Sequence, residues 1–146
     1  MQIVSLRQVV EERQAPYGDP IDGPETVARL VAPLLADADA EKMVVLTLST
    51  KNFVNAAHVV SVGALDASIV HPREIFKLAV LSNAAAIVIA HNHPSGDTTP
   101  SRADIAVTER LVKAGEILGI AVLDHLIIGT GYRSLRREGL GFGGSC

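Results

Sequence analysis

The chain lacks the features that mark a disulfide-linked or membrane-spanning protein. Its 146 residues include a single cysteine, Cys146, so no disulfide can form within one chain and no Cys-based zinc site can be assembled there. The apolar runs stop at seven or eight residues, far short of the roughly 20 needed to cross a bilayer. The N-terminal residues alternate apolar with polar and charged side chains, unlike the uninterrupted apolar core of a secretory signal. We therefore expect a cytoplasmic protein with no membrane span.

Excess positive charge is missing as well. The net charge is −3 at pH 7, whereas strong non-specific binding of DNA needs clustered lysines and arginines. One small basic cluster exists, made of Arg133, Arg136 and Arg137. A solvated surface is the expected role of this cluster, and contact with nucleic acid is the alternative. A nucleic-acid partner is thus possible but is not supported by the charge.

The composition that remains is that of one ordinary globular domain. Hydrophobic residues make up 48% of the chain and charged residues 20%, and the chain is long enough to bury a single core. We assign residues 1–22 to an N-terminal strand and loop, residues 23–140 to the domain and residues 141–146 to a disordered tail. The strand is expected over residues 2–13, at an edge of a sheet.

Helix and strand patterns alternate along the domain. Pro24 and Pro72 stand at expected first helical positions, Ser101 at an N-cap and Gly119 at a C-cap, while Pro33 predicts a kink or restart. The predicted helices cover residues 24–36, 72–83 and 101–118, and the predicted strands cover residues 43–48, 53–62, 84–90, 120–128 and 132–135. This order predicts an α/β fold, with a mixed central sheet and helices on both faces.

Two histidines follow the most apolar of these strands. His91 and His93 are two residues apart, so on an extended segment both imidazoles point the same way. Ten residues separate His93 from Asp104, which lies in the predicted first turn of the helix that Ser101 begins. Two imidazole nitrogens and one carboxylate oxygen suit a divalent zinc and leave a fourth tetrahedral position for water. The stretch therefore predicts a catalytic zinc site.

Each of these residues also has a plainer interpretation. A single histidine in such a loop would be unremarkable. Ser101 with Asp104 three residues later forms a capping-box pattern, whose only role would be to cap the start of a helix. Aspartate is a less apt partner than glutamate in that box, and the two histidines would otherwise lack a third ligand, which favours the metal site. Asn92 should point to the opposite side of the strand and have a structural role.

The same residues carry a resemblance to a known family. The HxHP pattern, its spacing to Asp104 and the serine three residues before that aspartate resemble the JAMM (MPN-plus) metalloprotease motif. The sequence around them is more specific to one family: HPREIF at 71–76, NAAAIVIAHNHPSGDTTPS at 83–101 and GIAVLDHLIIG at 119–129. It is similar to the RadC family, bacterial proteins of that fold, and the similarity runs roughly over residues 23–140.

The resemblance implies a fold, a cofactor and roles for two further residues. The fold would be the three-layer MPN (JAB) architecture, which is similar to that of cytidine deaminases, and the cofactor would be Zn²⁺ held by His91, His93 and Asp104. The family's general base is a glutamate at the start of an upstream buried strand, and Glu41 matches that location. Glu74 is the competing candidate. The family's serine, matched by Ser101, helps to stabilise the oxyanion of the tetrahedral intermediate.

We therefore expect a zinc-dependent metallopeptidase-like hydrolase that acts on a peptide or isopeptide bond of a protein or peptide substrate. The alternative is a DNA-repair-associated binding module whose metal is structural. A helix-hairpin-helix region, usual before this domain in the family, is replaced here by a short strand and one helix, so a repair role for this chain alone is not expected. A zinc deaminase is excluded because it needs a PCxxC segment.

Four other residues are less informative. His125 is expected to be a buried, hydrogen-bonded histidine or a group behind a metal ligand, paired with Asp124. His58 shows only strand periodicity, and His71 and Asp66 have no assigned role.

Overall fold

A computed structural model of the chain describes residues 1–9, 20–36, 38–63 and 70–143. These residues form one five-stranded sheet and three helices. The helices are α1 (Pro24–Leu35), α2 (Pro72–Leu81) and α3 (Arg102–Leu118), and the strands are β1 (Glu41–Leu48), β2 (Val54–Gly63), β3 (Ala86–Asn92), β4 (Ala121–Gly129) and β5 (Gly131–Ser134). The predicted α/β fold is confirmed, and its elements lie close to their predicted bounds.

The sheet is mixed, with β3 at its centre. The strand order is β2-β1-β3-β4-β5, in which β3 and β4 are parallel and the other neighbours are antiparallel. Helix α3 makes the crossover between the two parallel strands, as parallel pairing requires. All seven residues of β3 are buried, which explains why its sequence is a continuous apolar run and does not alternate.

Helices cover both faces of the sheet, as predicted. On one face, α2 and α3 pack against alternate residues of β1 and β3, with Phe76 and Leu111 at the centre of the cluster. On the other face, α1 packs through Val27 and Val31 against the intervening residues of the same strands. The result is a three-layer arrangement in which the central strands contact apolar side chains on both sides.

The helix ends follow the local chemistry of the sequence. Ser101 and Asp104 form a complete capping box at the start of α3, and Gly119 ends that helix at φ 70°, a left-handed conformation that glycine adopts without strain. Pro33 does not interrupt α1, because it is exposed, lies in the last turn and leaves only two residues of helix after it. The hairpin between β1 and β2 turns at Asn52, whose φ is 62°.

Two predictions near the ends of the chain are wrong where they can be compared. Residues 2–9 form no strand: they pair with no neighbour among the described residues, and Ile3, Val4 and Leu6 are exposed. Residues 141–143 are not a detached tail, because Phe142 packs against the core cluster and under the Arg136 guanidinium, 5.1 Å from the ring centroid. The rest of the predicted strand, Asp66 and residues 144–146 lie outside the described residues.

No helix in the described part of the chain combines the length and the apolarity needed to cross a membrane.

Candidate metal centre

The end of β3 places the two histidines on the face that α3 covers. His91 is the sixth residue of the strand and is fully buried, on the same side as Ile87 and Ile89. His93 follows directly after the strand, and its main-chain N–H donates to the carbonyl of Ile128 at 2.8 Å, which continues the pairing with β4. The two imidazoles therefore point into one space between the sheet and α3.

Asp104 enters this space from the first turn of α3. Its Oδ1 lies 3.1 Å from Nε2 of His91, and its Oδ2 lies 3.3 Å from Nε2 of His93. The two Nε2 atoms are 3.0 Å apart. These three residues offer ligand atoms that all lie within 4.8 Å of one another, so they could hold a metal ion. The structure brings together the three residues that the sequence predicted as ligands.

The protons of His93 show why a cation suits this arrangement. Nδ1 of His93 lies 2.7 Å from the main-chain carbonyl oxygen of Asp97, and a carbonyl can only accept, so this nitrogen carries a proton. A neutral His93 then has a lone pair on Nε2, facing a carboxylate and a second imidazole. Electron-rich atoms at such distances repel one another unless a positive charge lies between them. The donor set fits a divalent metal of the zinc type.

The carboxyl group of Asp104 is ionised in this setting. Burial raises its pKa, but the neighbouring His91 and hydrogen bonds from Ser101 outweigh burial and hold the pKa well below the usual range. A permanently negative oxygen donor is what a hard or borderline dication prefers.

The capping box that competed with the metal interpretation is also present. The main-chain N–H of Ser101 donates to Oδ2 of Asp104 at 2.7 Å, and the main-chain N–H of Asp104 donates to Oγ of Ser101 at 3.1 Å. The two roles are compatible because a carboxylate has about four acceptor positions. Asp104 both caps α3 and faces the imidazoles.

Glu41 begins β1, on the same side of the sheet as the histidines. Met43 lies opposite His91 in the antiparallel pairing, so Glu41, two residues earlier, faces the same side. A register shift next to Glu41 adds its extra residue to β2, so the alternation along β1 is preserved. Glu41 is half-buried. Its role as general base stays a prediction.

Asn92 holds the main chain on both sides of Glu41. Its Oδ1 accepts from the N–H of Lys42 at 2.7 Å, and its Nδ2 donates to the carbonyl of Ala40 at 3.2 Å. The side chain therefore points away from the histidines, as predicted, and it fixes the start of β1 against the end of β3.

Ser101 is exposed at the start of α3, directly before the turn that carries Asp104. Its Oγ accepts the capping bond from Asp104, and its hydroxyl proton is left to donate in a further interaction. Its role towards an oxyanion stays a prediction.

Two buried residues lie behind His91. Nε2 of His125 is 2.7 Å from Nδ1 of His91, and Oγ1 of Thr108 is 2.6 Å from Nδ1 of His125. Burial lowers the pKa of His125 well below its ordinary value, so this ring is neutral. The prediction of a buried, hydrogen-bonded histidine is confirmed, but the ring does not pair with Asp124, whose carboxylate accepts from the main-chain N–H of His125 and from Ser134.

Sequence reasoning missed Thr108. A signal for it did exist: Thr108 lies four residues after Asp104, so the two share one face of a helix, and a hydroxyl on the buried face of an otherwise apolar stripe is unusual.

The remaining candidate groups lie outside this cluster. Glu74 pairs with Lys77 at 2.7 Å on the exposed surface of α2, which lowers the pKa of Glu74. The three arginines of the basic cluster each make a contact within the chain: Arg137 with Glu25 at 2.8 Å, Arg133 with Glu138 at 3.3 Å, and Arg136 with Phe142. His58 lies in β2 and His71 directly before α2.

Comparison with known proteins places the chain in a family. A family model described as RadC-like JAB domain matches residues 21–140, which is most of the chain. The chain belongs to the RadC family. The predicted resemblance is confirmed.

Relatives with similar sequences carry names without functional content. Proteins called UPF0758 are 53% identical to this chain over 118 residues in Desulforamulus reducens, 52% over 120 residues in Methanosarcina mazei and 46% over 142 residues in Methanococcoides burtonii. These alignments cover 80%, 82% and 94% of this chain, and 52%, 52% and 62% of the respective relatives. The chain spans about half the length of the first of these curated relatives.

Proposed function

We propose that this chain is a zinc-dependent hydrolase that cleaves a peptide or isopeptide bond in a protein or peptide substrate. The observation that carries the proposal is the convergence of His91, His93 and Asp104, whose Nε2 and carboxylate oxygen atoms lie 3.0–3.3 Å apart. The match to the RadC-like JAB domain supports it. A bound zinc would supply Lewis acidity and a water whose pKa falls to about 7.

The chain's own residues would handle the protons and the developing charge. Glu41 would accept the proton of the attacking water and return it to the leaving amine, since it lies at the start of β1 on the same side of the sheet as the histidines. The hydroxyl proton of Ser101 would donate to the oxyanion, and the capping bond from Asp104 would fix the position of that oxygen.

Exposure indicates the side from which a substrate would approach. The His91 side chain and the Asp104 side chain are 0% and 1% exposed, whereas that of His93 is 14% exposed. Ser101 is exposed nearby on the N-terminal end of α3. A substrate carbonyl would therefore reach the site past His93 and Ser101.

The alternative, a DNA-associated binding module with a structural metal, receives less support from the surface. The arginines of the predicted basic cluster make ion pairs or a ring contact within the chain, which reduces the positive charge they offer to phosphates. A cytoplasmic location stays a prediction from the sequence.

The test is a comparison of zinc-loaded wild type with Glu41→Gln. A proteome-derived peptide library and a set of lysine-linked model isopeptides are incubated with each, and new amino groups are identified by mass spectrometry. We expect cleavage by the wild type, and a loss of about 10²- to 10⁴-fold in Glu41→Gln with its zinc retained. Glu74→Gln is the matched control and should cleave like the wild type, because Glu74 pairs with Lys77 on the surface.

Two results would count against the proposal. Full activity in Glu41→Gln would assign the base to another group. One tightly bound zinc without any cleavage by the wild type would favour the binding module.

A further inference from the structure

We propose that Thr108 and His125 are positioning residues that fix the tautomer of His91, so that its Nε2 lone pair is directed at the metal. The inference rests on the proposed role of His91 as a ligand. It concerns two residues that touch neither the metal nor the substrate.

The three residues form a hydrogen-bonded line inside the protein. Thr108, His125 and His91 are each 0% exposed. Oγ1 of Thr108 lies 2.6 Å from Nδ1 of His125, and Nε2 of His125 lies 2.7 Å from Nδ1 of His91. Because solvent does not reach these atoms, each of their protons needs an acceptor within the protein.

The far end of the line sets its direction. Oγ1 of Thr108 also lies 2.7 Å from the main-chain carbonyl oxygen of Asp104, and a carbonyl oxygen can only accept. The hydroxyl proton of Thr108 therefore lies towards Asp104. Its oxygen is left as an acceptor, and the atom that faces it, Nδ1 of His125, must donate.

The remaining protons follow one after another. A neutral His125 has one ring proton, so with Nδ1 protonated its Nε2 is bare and accepts from Nδ1 of His91. A neutral His91 with its proton on Nδ1 presents a lone pair at Nε2, the atom that lies 3.1 Å from Oδ1 of Asp104. The line thus delivers His91 in the form that a metal ligand needs.

The opposite direction would have a different consequence. If the Thr108 hydroxyl donated to His125, two oxygens at 2.7 Å would face each other without a proton, and His91 would carry its proton on Nε2. That proton would donate to Asp104 and occupy the position of the cation. The direction of the line therefore decides whether His91 is a ligand or a hydrogen-bond donor.

The topology explains why these groups meet. Thr108 lies one helical turn after Asp104 on the buried face of α3, and His125 lies in β4 beside β3, opposite Ile89. One line therefore ties together the helix that supplies Asp104 and the strand that supplies His91.

The test combines zinc affinity with a direct measurement of tautomers. Zinc affinity is measured by competition with a chelating dye, and the ring protonation of His91 and His125 is measured by ¹⁵N NMR of the metal-free protein. The variants are Thr108→Val, which keeps the shape but removes the hydroxyl, and Thr108→Ser, which keeps the hydroxyl. Thr47→Val is the matched control, because Thr47 is also 0% exposed but lies opposite Ile87, near the other end of β3.

In the metal-free wild type we expect Nδ1 of both His91 and His125 to carry a proton. Thr108→Val should lower zinc affinity about 10- to 100-fold, the usual cost of losing a hydrogen-bond partner behind a ligand, and should shift the His91 proton towards Nε2. Thr108→Ser and Thr47→Val should bind zinc as the wild type does.

The inference is overturned if metal-free His91 carries its proton on Nε2, or if Thr108→Val binds zinc as tightly as the wild type. Equal losses in Thr108→Val and Thr108→Ser would also overturn it, since they would assign the effect to packing. Failure of the proposed function looks different: the tautomers would be as expected, but zinc would bind equally well to wild type and to His93→Ala.

Discussion

Asp104 combines two functions in one carboxylate, and a substitution can separate them. Its Oδ2 caps α3 through the N–H of Ser101, while Oδ1 faces Nε2 of His91. Asparagine can keep the cap with its carbonyl oxygen, and its amide N–H can donate to an imidazole lone pair. Only the negative charge and one oxygen donor are lost.

We expect Asp104→Asn to unfold at the same temperature as the metal-free wild type or above it, without any rise on adding zinc. Its loss of zinc affinity should exceed the roughly 10- to 100-fold typical of a partner behind a ligand. Asp104→Ala should lose the cap as well, at a cost of about 1 kcal/mol in the free energy of unfolding. Thermal unfolding with and without zinc measures both effects. A zinc-dependent rise in Asp104→Asn equal to that of the wild type would remove Asp104 from the ligand set.

Residue types at fixed spacing made the ligands predictable. The spacing of His91, His93 and Asp104 reflects the end of a strand and the start of a helix. Both are local features, which residue patterns can predict. Thr108 and His125 were harder, because their relation to His91 depends on how α3 and β4 pack against β3. That packing is a tertiary property, which the local spacing of Asp104 and Thr108 does not specify.

The contact between the end of β3 and the start of β1, here called the junction, holds Glu41 in place. The Asn92 side chain bonds the peptide groups on both sides of Glu41, and it is 6% exposed. Asparagine can make both bonds because its side-chain amide carries a donor and an acceptor on separate atoms.

We expect Asn92→Ala to destabilise the protein by about 1 to 3 kcal/mol, because an N–H and a carbonyl at the start of β1 lose their partner. Zinc affinity should stay unchanged, since Asn92 points away from the histidines, while any cleavage should fall with the displacement of Glu41. Denaturant unfolding and zinc titration measure the two effects. Asn55→Ala, at an exposed position of β2, is the control. Loss of zinc from Asn92→Ala would contradict this account of the junction.

The strands show what the periodicity of apolar residues can and cannot predict. The apolar run at 84–90 predicted a strand, and all seven residues of β3 are buried. The alternation over residues 2–9 looked equally strand-like, yet these residues have no pairing partner in the part of the chain that the structure describes. Alternation of apolar and polar residues indicates that a segment could have one apolar and one polar face. A strand also needs a neighbouring strand with which its main chain can form hydrogen bonds.

For the whole molecule, the order of helices and strands predicted the layers, and the charge balance predicted a surface poorly suited to phosphates. The contact between Glu25 and Arg137 joins residues 112 positions apart and could not be predicted from composition. It occupies one of the three arginines, and hydrogen bonds from Arg137 and Tyr132 lower the pKa of Glu25 to about 2. This ion pair reduces the unpaired positive charge of the predicted basic cluster, and weak binding of nucleic acid stays a prediction.

The central claim for the molecule is that one cation belongs among His91, His93 and Asp104. Native mass spectrometry of the purified chain in the presence of zinc, beside His93→Ala, tests it most directly. We expect one zinc per wild-type chain, a higher unfolding temperature in zinc, and neither effect in His93→Ala. A wild type that binds no more zinc than His93→Ala would contradict the claim, and with it the proposed hydrolase.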